Sequence, residues 1–193
     1  MNAIIKPGRP LIYMKVGTHA GETLEDIIAR KQKEIDEAGI AMWGYGGGTC
    51  HPRTMVQPFA EGFAERNEPI VLVMEAMNSK HFAEPTLATE YSIDGIHWRP
   101  VPHGVSVKGS RYALVLKNLR HAELMLPLAQ TAVAIGNCRG RSGNRYIKGR
   151  VDKACLTVTD APELSNEVPN REASISLVAE LEKPYAVFVR GAA

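Results

Sequence analysis

Residues 11–45 read LIYMKVGTHAGETLEDIIARKQKEIDEAGIAMWGY, and the fold class turns on how that stretch divides. Leu11–Val16 is a short apolar run after a Pro/Gly-rich lead-in, the pattern of a strand. Thr23 is placed to cap a helix, with Asp26 three residues on as a capping-box variant. Glu25 and Asp26 suit the positive end of a helix dipole. Leu24, Ile27, Ile28 and Ile35 fall on one helical face, and Gly39 is placed to end the turn. The spacing predicts a helix over 24–38. Ala41–Tyr45 then forms a short strand that enters a run of glycines.

Outward from this segment the signals are mostly those of strands. Val56–Arg66 can form a second helix that starts near Pro58. Ile70–Met77 is an apolar run of strand length. Thr89–Ile93 and Ile96–Val101 flank Asp94-Gly95, which predicts a hairpin closed by a type I′ turn. Arg111–Leu119, Thr131–Gly136, Ala154–Thr159, Ile175–Glu180 and Tyr185–Arg190 complete the strands. Many short strands with one well-defined early helix predict an α+β fold. The expected architecture is a mixed, largely antiparallel curved sheet or partly closed barrel, with the helix near the N-terminus packed on it. The 193 residues are expected to make a single domain over 1–193, large enough to bury a core without disulfides.

Composition narrows the function classes. The hydrophobic fraction is 45% and the charged fraction 23%, values typical of a folded chain. The opening MNAIIKPGRP lacks the apolar core of a signal peptide. The most apolar stretch, Leu124–Ile135, is too short to span a bilayer. The three cysteines show no framework spacing, so reduced thiols and a cytoplasmic location are expected, with no membrane partner. CxxC, HxxxH and HExxH are absent, so neither a metal site nor a cofactor is expected. The glycine patterns of P-loop and Rossmann enzymes are missing too.

The net charge of +2 hides an asymmetry. Residues 98–153 carry 11 Lys+Arg against 2 Asp+Glu, a net +9, whereas both flanks are acidic. Clustered like charges repel unless something anionic answers them. The densest part is Cys138–Lys153, CRGRSGNRYIKGRVDK, expected as a connecting loop or loose hairpin. Arg139, Arg141, Arg145, Lys148 and Arg150 offer charge-assisted bonds to phosphate oxygens. The interspersed glycines allow backbone amides to face an anion, and Tyr146 can stack on a base. The plain alternative is a solvated loop that pairs with Glu34, Asp36 or Glu37. Arg111 and Lys117, six apart in an expected strand, would share one sheet face and extend the basic surface.

A second candidate segment is Trp43–Pro52, WGYGGGTCHP. Gly46, Gly47 and Gly48 permit close approach of a ligand, Trp43 and Tyr45 could stack on a flat ring, and His51 lies beside them. Cys50 is the candidate nucleophile, since glycine-rich backbone can supply oxyanion donors. Adjacent side chains in an extended segment point apart, however, so His51 is poorly placed as its base.

These features favour a non-catalytic binding protein for an anionic nucleotide-type ligand or nucleic acid. It would use the basic surface over 99–153 and the Trp/Tyr/Gly-rich loop over 43–52. The alternatives are a cysteine-dependent hydrolase or transferase acting through Cys50, and an interaction module for an acidic protein partner.

Overall fold

The Thr23 hydroxyl accepts a hydrogen bond from the Asp26 N–H at 3.2 Å, and the Asp26 carboxylate accepts in return from the Thr23 N–H at 3.2 Å. This reciprocal box satisfies amides that a helix start leaves open. Helix α1 spans Leu24–Ala38, as its apolar spacing requires. Gly39 ends it at φ 77°, a left-handed conformation that suits glycine and strains other residues. The chain turns directly into strand β2 (Ala41–Gly44), against which α1 lies.

The structure is a computed structural model that describes residues 4–45, 53–81, 84–149, 151–162 and 168–191. The remaining strands are β1 (Pro10–His19), β3 (Val71–His81), β4 (Glu90–Ser92), β5 (Arg99–Pro100), β6 (Tyr112–Leu116), β7 (Arg120–Pro127), β8 (Thr131–Val133), β9 (Lys153–Val158) and β10 (Glu172–Arg190). Helices α2 (Arg53–Ala64) and α3 (Gly143–Tyr146) complete the described elements, with one 3-10 turn at Leu128–Gln130. The fold is therefore α+β with a largely antiparallel sheet of ten strands and three α-helices among the described residues. Its order is β2-β6-β10-β3-β1-β9-β8, with β7 and β4 also on β10 and β5 on β4. Among the described residues β2 does not pair with β8, so the sheet is not closed.

The chain divides into two compact units. One comprises Met1–Lys15, Cys50–Ala76 and Arg120–Val178; the other comprises Val16–Thr49, Met77–Leu119 and Ala179–Ala193.

In the first unit, Leu11 and Tyr13 of β1 sit opposite Leu156 and Ala154 of β9. Ala173 and Ile175 of β10 sit opposite Leu126 and Leu124 of β7. These residues recur at every second position, so one face of each strand enters a common core with Val71, Val73 and Ile147. Tyr13 is fully buried and its hydroxyl donates to the Glu75 carboxylate. Burial, and then that carboxylate, push the phenol pKa up, while Arg171 acts in the opposite direction.

In the second unit, β6 pairs with β2 and with the end of β10. Met42, Val105, Val107, Ala113, Val115, Val187 and Val189 form its core. A buried ionic network ties the 101–110 segment to α1. Lys31 is 2% exposed and donates to both Glu34 oxygens at 2.9 Å and to the Ser106 carbonyl. Glu34 also accepts from the Ser106 N–H at 3.1 Å and the Ser106 hydroxyl at 3.0 Å. Arg30 bridges Glu22 at 2.6 Å and Glu34 at 3.1 Å, and Lys108 reaches Glu22 at 3.0 Å.

Three local expectations are corrected. The Asp94-Gly95 connection is not a two-residue I′ turn. Tyr91 pairs with Arg99 and β4 ends at Ser92, which leaves Ile93–Trp98 as a longer loop. The Asp94 carboxylate accepts from the Ile96 and His97 amides at 2.8 Å each, replacing the backbone closure of a tight hairpin. Arg111 and Lys117 do not share a strand face, because β6 ends at Leu116 and both flank it. Cys138–Lys153 is not merely a loop, since it contains the single helical turn α3.

A candidate anion-binding cleft

The basic segment folds around small side chains. Ser142 caps α3, its hydroxyl accepting from the Asn144 N–H at 3.1 Å. Gly143 is held so close to the 3-10 turn that a Cβ there would lie 2.1 Å from Thr131 Oγ1 and 3.0 Å from the Leu128 carbonyl. No larger residue fits without movement of the backbone or of Thr131.

Asn144 is 3% exposed and uses both ends of its amide. Its oxygen accepts from the Arg171 N–H at 3.0 Å, and its nitrogen donates to the Pro169 carbonyl at 3.0 Å. The Arg171 guanidinium donates in turn to the Asn144 carbonyl. These three bonds fasten the 169–171 segment to α3 across 27 residues of chain. They set Arg171 beside Arg141, Arg145 and Lys148 around one cleft of about 490 Å³, completed by Asn144 and Val168.

Of the six described lining residues four are cationic and none is a carboxylate. Arg141 and Lys148 are exposed, and among the described residues no ion pair engages Arg141, Lys148 or Arg171. Such a cleft gives a local positive potential that attracts an anion, with guanidinium forks to meet its oxygens.

The other expected site residues fall elsewhere. Arg139 is exposed but outside the cleft lining. Tyr146 is half-buried, packs against the core of the first unit and is not among the described residues that line the cleft. Arg111 belongs to the second unit and lines a separate cleft there. Trp43 and Tyr45 are 4% and 1% exposed, so both are core residues of the described structure instead of displayed stacking rings. Gly46, Gly47, Gly48, Cys50, His51 and Arg150 lie outside the described residues. Several central cations are already neutralised: Lys108 by Glu22, Lys117 by Glu180 at 2.9 Å, and Lys153 by Asp152 at 2.8 Å. Glu34, a proposed partner for the basic loop, instead binds Lys31 and Arg30.

Sequence reasoning missed Arg171 and the structural part of Asn144. Arg171 stands in the acidic C-terminal stretch, and the Asn144 clamp brings it to the cleft together with the Leu128 N–H, which donates to the Arg171 carbonyl at 3.0 Å.

Among the described residues no group of three His, Cys, Asp or Glu could hold a metal ion. Cys155 is fully buried, and burial pushes its thiol pKa up. Among the described residues no helix is long and apolar enough to cross a membrane. No family model, curated protein or solved structure matches this chain.

Proposed function

We propose that this chain is a non-catalytic binding protein for a phosphate-bearing ligand, a nucleotide or nucleic acid. The cleft formed by Arg141, Arg145, Lys148 and Arg171 receives the phosphates. The observation that carries this reading is the convergence of four cations, with no carboxylate among the described lining residues, on one cleft. The Asn144 clamp supports it further, because it fixes the Arg171 backbone before any ligand arrives. A preorganised cation loses less entropy on binding than one that must first be ordered.

Binding of a labelled single-stranded oligonucleotide and of a nucleoside diphosphate, each measured against salt concentration, tests the proposal. Each phosphate neutralised on a single strand contributes about −0.7 to the slope of log K against log salt. A slope of about −2 to −3 is expected for the oligonucleotide if three or four cations engage it. Arg141→Ala with Lys148→Ala should make that slope shallower by about one to two. The diphosphate should show the weaker salt dependence of a ligand with fewer contacts. Failure of both ligands to bind at low salt would refute the proposal, as would a double variant that binds like the wild type.

A further inference from the structure

The second unit carries a cleft of about 740 Å³, within the roughly 300–1,000 Å³ range of small-molecule sites. Trp98, Tyr112 and Phe188 line it, and all three are half-buried. Each ring is thus fixed by packing while keeping part of its surface exposed. The Arg190 guanidinium lies over Trp98 at 3.9 Å from the ring centroid. Glu90 holds that guanidinium at 2.7 Å, which steadies one face of the indole. Tyr112 and Phe188 stand 5.3 Å apart at 53°, a tilted aromatic pair.

The polar groups of this cleft differ in kind from those of the basic one. Arg111 offers donors and Glu84 offers an acceptor. Ser110 also lines the cleft, but its hydroxyl is buried on the side of Gly44 and is not one of the exposed polar groups. Of the charged groups in the described lining, Arg190 is already paired with Glu90, and Arg111 is accompanied by the carboxylate Glu84, so this cleft lacks the uniform positive charge of the basic one.

We infer that this cleft binds a neutral planar heteroaromatic ring with both donors and acceptors on its edge, a nucleobase-type group, held by the Trp98, Tyr112 and Phe188 rings with Arg111 and Glu84 at its edge. The inference goes beyond the phosphate-binding proposal and does not depend on it. The two sites separate by chemistry: one answers to charge, the other to a π face.

Calorimetric titration with adenosine, guanosine, cytidine and uridine tests the site on the full chain at low and high salt. At least one nucleoside is expected to bind with 1:1 stoichiometry, its affinity changing less than about twofold with salt. Trp98→Ala and Arg111→Ala should each weaken it by at least about fivefold. Trp98→Phe, which restores a ring, should recover most of the loss and separates loss of stacking from loss of folding. Arg141→Ala with Lys148→Ala should leave nucleoside binding unchanged, whatever it does to phosphate ligands. Three results would overturn the inference: none of the four nucleosides binds; the Trp98→Ala or Arg111→Ala variant binds as tightly as the wild type; or the basic-cleft double variant abolishes nucleoside binding.

Discussion

Gly143 shows how much a single residue can decide. With Thr131 Oγ1 2.1 Å from where a Cβ would stand, Gly143→Ala should destabilise the protein by about 1–3 kcal/mol through overpacking. Urea denaturation followed by circular dichroism would read this. Gly62 in α2 is the opposite case, since nothing lies within 4 Å of an added Cβ. Gly62→Ala should therefore stabilise by about 0.4–1 kcal/mol, because it removes freedom from the unfolded chain. Lys31 makes a different prediction. Burial pulls its pKa down from 10.5 to about 8, with Glu34 opposing the shift. Between pH 8 and 10.5 the unfolded chain still binds the proton that the folded chain has released. The stability contribution of this group therefore rises with pH through that window. Relative to Lys31→Met, the wild type should gain on the order of 2–3 kcal/mol from pH 8 to pH 10.5. A flat difference in unfolding free energy across that window would contradict it. Lys31 and Glu34 sit three apart on a predicted helix, a spacing at which side chains can pair, yet Glu34 was expected as a candidate partner of the basic loop. Their burial was not legible in the sequence, because it depends on Ser106 closing over them from 72 residues away.

Elements were legible where short-range chemistry defines them. Helix α1 was readable because its cap, dipole charges, apolar spacing and terminal glycine all lie within one short segment. Thr23→Ala should cost about 1 kcal/mol by removing the side-chain half of the capping box, the hydroxyl that accepts from the Asp26 N–H, a loss that thermal denaturation would detect. Strand β7 was obscured. In RHAELMLP, Leu124 and Leu126 face the core while Met125 is 50% exposed. Met125 therefore reads as part of an apolar run instead of as the outward half of an alternation. The single strand β10 was divided in two because Pro184 reads as a breaker, whereas the strand accommodates it at an irregularity between Leu181 and Ala186. The Asp94 turn was placed correctly but assigned the wrong closure. Sequence shows that Asp-Gly favours a turn, not whether the carboxylate will take the amides itself. Of the two tryptophans, the one beside the glycines is buried and the one after the Asp94 loop lines a cleft.

At the scale of the whole molecule, six of the cations clustered in the sequence take one of two fates. Lys108, Lys117 and Lys153 meet carboxylates and serve the fold. Arg141, Arg145 and Lys148 line a cleft with Arg171, and among the described residues no ion pair engages Arg141, Lys148 or Arg171. Local density in the sequence located the second group but did not separate it from the first, because neutralisation depends on acids brought in from elsewhere in the chain. The most direct test of the central claim is an amide NMR titration of the full chain with inorganic pyrophosphate at low salt. Saturable shifts concentrated at residues 139–149 and 168–171, reversed by added salt, are the expected result. Shifts spread over unrelated surfaces, or none at those residues, would contradict the claim that these four cations form one phosphate site.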